Sequence, residues 1–269
     1  LPSEPVAPSQ GRQAGPPTSG PASREVLSTS PAAGPLRSHR TAPSWSAPAP
    51  DAEASLRLLE RALYSVLTRV EALNRRRSLL GDREFFDAEA FPWIREVLEL
   101  TPGIQAELAQ VMTRRESLPN FQDISPEQRE LTNDAGWKTF FFFGYGLRSE
   151  RNCALCPQTV RALQKIPGMV SGYYSILAPG KKLPPHRGPY NGVLRFHLGL
   201  KIPASAASNA RSTAAATRLR AVLFVDFLRP LPLMPRLINR FMIWLMTKTP
   251  FVKVATRNHE NWEKAFYEA

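Results

Sequence analysis

Apolar residues Leu59, Leu63, Val66, Leu67, Val70 and Leu73 recur at three- and four-residue spacing, so residues 51–81 read as an amphipathic helical segment. Arg75, Arg76 and Arg77 close the periodic run, where cations complement the negative end of a helix dipole. Gly81 ends the pattern. Phe85, Phe86, Phe91 and Trp93 then gather ahead of a second helix predicted over residues 92–115.

From residue 137 the pattern changes. Trp-Lys-Thr-Phe-Phe-Phe-Phe, followed by Gly144 and Gly146, predicts a buried strand ended by glycines. A helix is expected over 157–165, stopped by Pro167 and Gly168. Strands follow over 170–177 and 192–200, joined by a loop holding Pro179, Gly180, Pro184, Pro185, Gly188 and Pro189. Residues 219–227 predict a further strand. Residues 204–217, all Ala, Ser, Thr and Asn but for Arg211, have no apolar alternation and read as a flexible linker.

Composition adds a boundary at the start. Residues 1–50 hold 11 of the 26 prolines and only two acids, Glu4 and Glu25, so they form a tail that cannot bury enough apolar surface to order itself. The same Arg-bearing, acid-poor profile fits an organelle transit peptide; a plain linker is the simpler reading. The chain begins at Leu1 and not Met, so targeting stays open between cytoplasm, membrane surface and organelle. The expected organisation is therefore a tail (1–50), a helix (51–81), a main domain (82–230) and a basic, apolar C-terminal segment (231–269).

The net charge of +12 is spread along the chain and permits anionic lipid or acidic small-molecule partners. No nucleic-acid motif or localised basic stripe accompanies it, so nucleic acid is not expected as a partner. The two cysteines, Cys153 and Cys156, imply no disulfide framework and cannot complete a four-ligand zinc site. They read as structural.

Period-two alternation places Arg195, His197 and Gly199 on one face of their strand. The same rule puts Arg220, Val222, Phe224 and Asp226 on one face of the next. Ser175, His186, Arg195, His197 and Arg220 thus lie on or beside apolar strands, where an unpaired polar group is costly. They bond one another and the backbone, or they hold a ligand; two arginines without an evident matching buried carboxylate favour a dianion.

These residues also carry a resemblance. Ser175-Ile-Leu-Ala-Pro-Gly180, Pro185-His-Arg-Gly-Pro189 and Leu194-Arg-Phe-His-Leu-Gly-Leu200 resemble, in order and spacing, the core motif of the aspartyl/asparaginyl β-hydroxylase family. Trp137-Lys-Thr, Asn152-Cys-Ala-Leu-Cys-Pro157 and Val225-Asp-Phe-Leu-Arg-Pro230 extend it, so the similarity covers the chain from about Phe85 to its end. The resemblance implies a mainly β fold, a cupin-like jelly roll (double-stranded β-helix) with flanking N- and C-terminal helices. It implies a dioxygenase that uses Fe(II), 2-oxoglutarate and O2 to hydroxylate an Asp or Asn side chain of a protein or a lipid A-type acyl chain. His186 resembles the first iron-binding histidine and the catalytic metal site; Ser175, Arg195, His197 and Arg220 resemble the residues that hold 2-oxoglutarate.

The sequence departs from that pattern in one interval. The family's second iron-binding histidine falls between the strands of Arg195 and Arg220, yet no His, Asp or Glu occurs between Leu200 and Arg220. The alternative is therefore a catalytically inactive relative that binds a membrane or a partner. Residues 233–246, rich in Leu, Ile, Met, Phe and Trp but broken by Arg236, Asn239 and Arg240, are too short and too charged to span a bilayer. Peripheral membrane contact through 231–253 and packing of this helix on the domain are both open readings.

Overall fold

Four consecutive phenylalanines favour a pleated strand because their rings pack on both faces of a sheet. Strand β1 (Trp137–Gly144) is buried along its first six residues. In the computed structural model, which describes residues 50–83, 85–184, 186, 188, 190–202 and 218–268, it pairs with four further strands. The tail expected over 1–50, apart from Pro50, and the linker expected over 204–217 lie outside the described residues.

The partners are β2 (Leu147–Arg148), β3 (Met169–Leu177), β4 (Val193–Lys201) and β5 (Arg220–Leu228). Their order is β2-β1-β3-β5-β4, with every neighbouring pair antiparallel. β5 therefore lies between β3 and β4, which must run parallel. An antiparallel pair can be joined by a tight turn, but a parallel pair needs a connection that travels the length of the sheet. Residues 178–192 are that connection, and they carry His186.

Helices surround the sheet: α1 (Pro50–Arg76), α2 (Trp93–Glu99), α3 (Thr101–Met112), α4 (Phe121–Ile124), α5 (Glu150–Leu155), α6 (Pro157–Gln164), α7 (Leu233–Met246) and α8 (Pro250–Glu268). The fold is mixed α/β, and the expectation of a mainly β chain is corrected: helix makes up more of the regular structure than strand. The described residues pair into one sheet, and a jelly roll, which needs two, is not formed by them. The single helix expected over 92–115 is two, because Pro102 has no N–H to donate and sits in the first turn of α3, where none is needed.

The sheet has two different faces. Phe140, Phe142, Tyr174, Ile176, Leu194, Leu198, Leu223, Val225 and Phe227 pack with α2, α3 and α6 into the larger core. Fully burying a side chain of this kind contributes about 2–3 kcal/mol. Glu107 of α3 ties the layer together by accepting from the Gln158 and Thr159 amides (2.6 and 2.9 Å), where its charge caps the start of α6. Cys153 and Cys156 are free and buried here; burial pushes their thiols up to about 11 and about 12, so they stay protonated and unreactive at neutral pH.

On the opposite face Trp137, Phe141, Tyr173 and Phe224 join Phe121 and Ile124 of α4 in a smaller core. The C-terminal half of α1 also docks on the domain. Buried Asn74 donates to the Tyr190 hydroxyl (2.9 Å), and Asn191 donates its side-chain amide to the Glu71 carbonyl (2.9 Å). These bonds fasten the end of the connection that carries His186.

Candidate functional site

The cross-strand register sets the candidate residues in rows on the face of the smaller core. One row is Thr139, Ser175, Val222 and Gly199; a second is Phe141, Tyr173, Phe224 and His197; a third begins Trp137, Leu177 and Arg220. Ser175, Arg195, His197 and Arg220 therefore share one face, as alternation predicts. The connection 178–192 lies over it: the Lys181 carbonyl accepts from Arg220 Nη2 (3.3 Å), and Leu183 packs on the smaller core. Gly188 sits so near that a Cβ there would be 3.7 Å from Arg195 Nη2. His186 rides between these points, exposed, its Nδ1 within 2.9 Å of the Pro184 carbonyl oxygen.

Electrostatics separate the two arginines. Arg195 donates through Nε to Asp226 Oδ1 (3.0 Å) and through Nη2 to Oδ2 (3.4 Å), and its guanidinium lies 4.3 Å from the centroid of the Phe224 ring. Burial alone would lower the Arg195 pKa; the charge and hydrogen bonds of Asp226 outweigh it and raise it. The expectation that neither arginine has a buried carboxylate partner is thus corrected at Arg195: Asp226, 5% exposed, is that partner. Arg220 differs. Its Nε is buried with no hydrogen-bond partner among the described residues.

Other polar atoms on this face fit an anion. Trp137 Nε1 donates to Ser175 Oγ (2.9 Å), which leaves the serine's own proton for another acceptor. Thr139, fully buried, has a hydroxyl without a partner among the described residues. His197 is exposed on the edge strand β4; desolvation by the residues around it, then the Arg195 charge, lowers its pKa and favours the neutral ring. Arg220 Nε and the Thr139 hydroxyl are thus buried donors without a partner among the described residues, a costly arrangement that an acceptor would relieve.

A metal is a different matter. Among the described residues no group of three or more His, Cys, Asp or Glu could hold one. His186 lies on the connection over this face, His197 and His259 pack against the rings of the face, and the interval between Leu200 and Arg220 supplies no further His, Asp or Glu. Arg220 Nε and the Thr139 hydroxyl are left without partners among the described residues, which also form no three-ligand metal site.

One buried histidine was left aside by motif reasoning. His259 of α8 is 1% exposed, packs edge-on against Phe141 at 6.1 Å, and neither ring nitrogen has a partner among the described residues. Ala255, His259, Trp262 and Phe266 form a helical stripe, a periodicity that marks the residue as inward-facing. Burial lowers its pKa, against the raising pull of Glu263 and Glu260.

Both depressed histidines bind a proton more readily in the unfolded chain, whose imidazoles titrate near 6.5. Their neutral native forms are undisturbed above that pH, and stability falls as pH drops below about 6.5, chiefly through buried His259 because His197 is exposed. Urea unfolding followed by circular dichroism between pH 7.5 and 4.5 is expected to show this loss, and His259→Leu to flatten it. An unchanged slope in the variant would rule out His259 as a source.

The sheet face thus sets Arg220, Ser175, Thr139 and His197 beneath a histidine-bearing connection. The sequence profile described as aspartyl/asparaginyl beta-hydroxylase matches residues 100–226. The ornithine lipid ester-linked acyl 2-hydroxylase of Rhizobium tropici is 40% identical over 233 residues, covering 78% of this chain and 83% of that protein. Human aspartyl/asparaginyl beta-hydroxylase is 41% identical over 83 residues, 29% of this chain but 11% of the relative's length. Human aspartate beta-hydroxylase domain-containing protein 2 is 30% identical over 125 residues, 44% of this chain and 33% of that protein. The chain belongs to the aspartyl/asparaginyl β-hydroxylase family, a family of 2-oxoglutarate-dependent hydroxylases that typically use Fe(II).

Proposed function

We propose that this protein is a 2-oxoglutarate-dependent dioxygenase that hydroxylates the acyl chain of a membrane lipid. The observation that carries the substrate class is the extent of the match to the ornithine lipid hydroxylase, 83% of that protein, against 11% of the human aspartyl/asparaginyl enzyme. What supports the co-substrate is the unpartnered Arg220 Nε in a row beside Ser175 and Thr139.

In this reading Arg220 forks onto the distal carboxylate of 2-oxoglutarate, because a planar guanidinium offers two parallel donors. Ser175 adds a hydroxyl proton, and His197, neutral, adds an N–H without a competing charge. Arg195, matched by Asp226, holds the His197 and Phe224 side of the face in place. His186 is the residue this chain offers to the metal. The sheet is read as one wall of a double-stranded β-helix, whose parallel β3 and β4 with β5 between them suit that topology.

A second reading, an inactive relative that still binds the oxo acid, is favoured by one observation: no His, Asp or Glu lies between Leu200 and Arg220. The test is to supply ornithine lipid with 2-oxoglutarate, Fe(II) and O2 and to follow both succinate and a product heavier by one oxygen atom. Lipid hydroxylation lost in His186→Ala is expected. Calorimetric binding of 2-oxoglutarate without any product would select the inactive relative, and neither binding nor product would reject both.

A further inference from the structure

Helix α7 is turned inside out for a helix of a soluble domain. Its single buried residue is polar: Asn239 is 1% exposed and donates to the Gly192 carbonyl (2.7 Å). Its large apolar residues face outward instead. Met234 is 69% exposed, and Leu237, Phe241 and Trp244 are each more than half exposed, as is Phe251 at the start of α8. Phe241 and Trp244 stack on one another at 5.6 Å. An exposed apolar surface of this kind costs solvation and marks a contact site.

Charge specifies the contact. Between Leu231 and His259 the chain has no acidic residue and five cations, Arg236, Arg240, Lys248, Lys253 and Arg257, all exposed. The positive-φ hairpin of Tyr145 and Gly146 faces the turn after α7 and the first turns of α8 across an open cleft of about 420 Å³. Lys248, Lys253, Arg257, Thr247 and Tyr145 line it together with one acid, Glu260. Three cations and a hydroxyl at the foot of an aromatic, apolar helix are the two halves of an interfacial site: hydrocarbon for the rings and an anionic headgroup for the cleft. No helix among the described residues is long and apolar enough to cross a membrane, so α7 would lie in the surface of the bilayer.

We infer that α7 and the first turns of α8 dock this protein onto an anionic lipid bilayer, with Phe241, Trp244 and Phe251 inserted and the Lys248–Lys253–Arg257 cleft seated on a headgroup phosphate. The inference deepens the lipid-hydroxylase reading but fails separately from it, because docking needs no turnover and turnover in detergent micelles needs no docking.

The test is flotation of the full chain with vesicles of phosphatidylcholine alone or mixed with phosphatidylglycerol. Binding to the mixed vesicles that weakens with salt is expected. Lys248→Glu with Lys253→Glu is expected to reduce partitioning roughly tenfold or more, and Phe241→Ser with Trp244→Ser to abolish it. Both pairs are expected to leave thermal melting and any hydroxylation of micellar lipid unchanged. Equal binding to both vesicle types, no binding to either, or a dimer in light scattering that the Phe241/Trp244 pair dissolves would overturn the inference.

Discussion

Replacing Arg220 with alanine is expected to weaken 2-oxoglutarate binding by roughly 30- to 150-fold, the equivalent of about 2–3 kcal/mol for hydrogen bonds to a charged group. Isothermal titration with 2-oxoglutarate under anaerobic conditions measures it whether or not the protein turns over. Arg220 is half-buried with one unpartnered donor, so the alanine removes a cation of the face that no carboxylate among the described residues matches. Arg220→Lys is expected to recover only part of the loss, because a point charge cannot fork onto two oxygens. Affinity unchanged in Arg220→Ala would move the carboxylate site elsewhere.

The second large effect is on stability. Asp226→Ala is expected to lower the free energy of unfolding by about 1–2 kcal/mol, less than for a fully buried pair because Arg195 is exposed and water takes over part of its interaction. The loss comes from Arg195, which stays wedged against Phe224 with its guanidinium unmatched. Removing both charges together in Arg195→Met/Asp226→Leu is expected to cost less than Asp226→Ala alone, since no buried charge is then left without a partner. Chemical denaturation of the three proteins at one pH gives the comparison. If the double variant is the least stable, the pair is a net stabiliser and not a compensated polar contact.

Much of the site was legible along the chain, for a local reason. Side chains alternate across a strand by geometry alone, so Arg195 with His197, and Arg220 with Asp226, could be put on common faces before any strand was paired. What alternation cannot state is register. Asp226 meets Arg195 because β4 and β5 pair Arg195 opposite Asp226, and that alignment is what separates a neutralised arginine from one with a spare donor. Likewise His259 carries no motif, and only its place in the stripe with Ala255 and Trp262 would have shown it to be buried.

The fold class divides in the same way. Strand segments were readable from β-rich runs within a residue or two of their bounds, and α6 from its proline start. The balance of helix and sheet was not, because the motif speaks for the strands around the site, whereas the helices that cover the sheet are set by what its larger core must bury.

The sequence by itself determined the motif residues, the face each occupies, the absence of a second ligand between Leu200 and Arg220, and an apolar, basic segment after residue 231. Only the tertiary structure decided that β5 inserts between β3 and β4 and sends the His186 connection across the site, that Asp226 neutralises Arg195, and that α7 points its rings outward around a buried asparagine. Composition and spacing act within a segment, whereas pairing order, charge matching and the direction a helix faces depend on which segments meet, and burial of the shared core decides that.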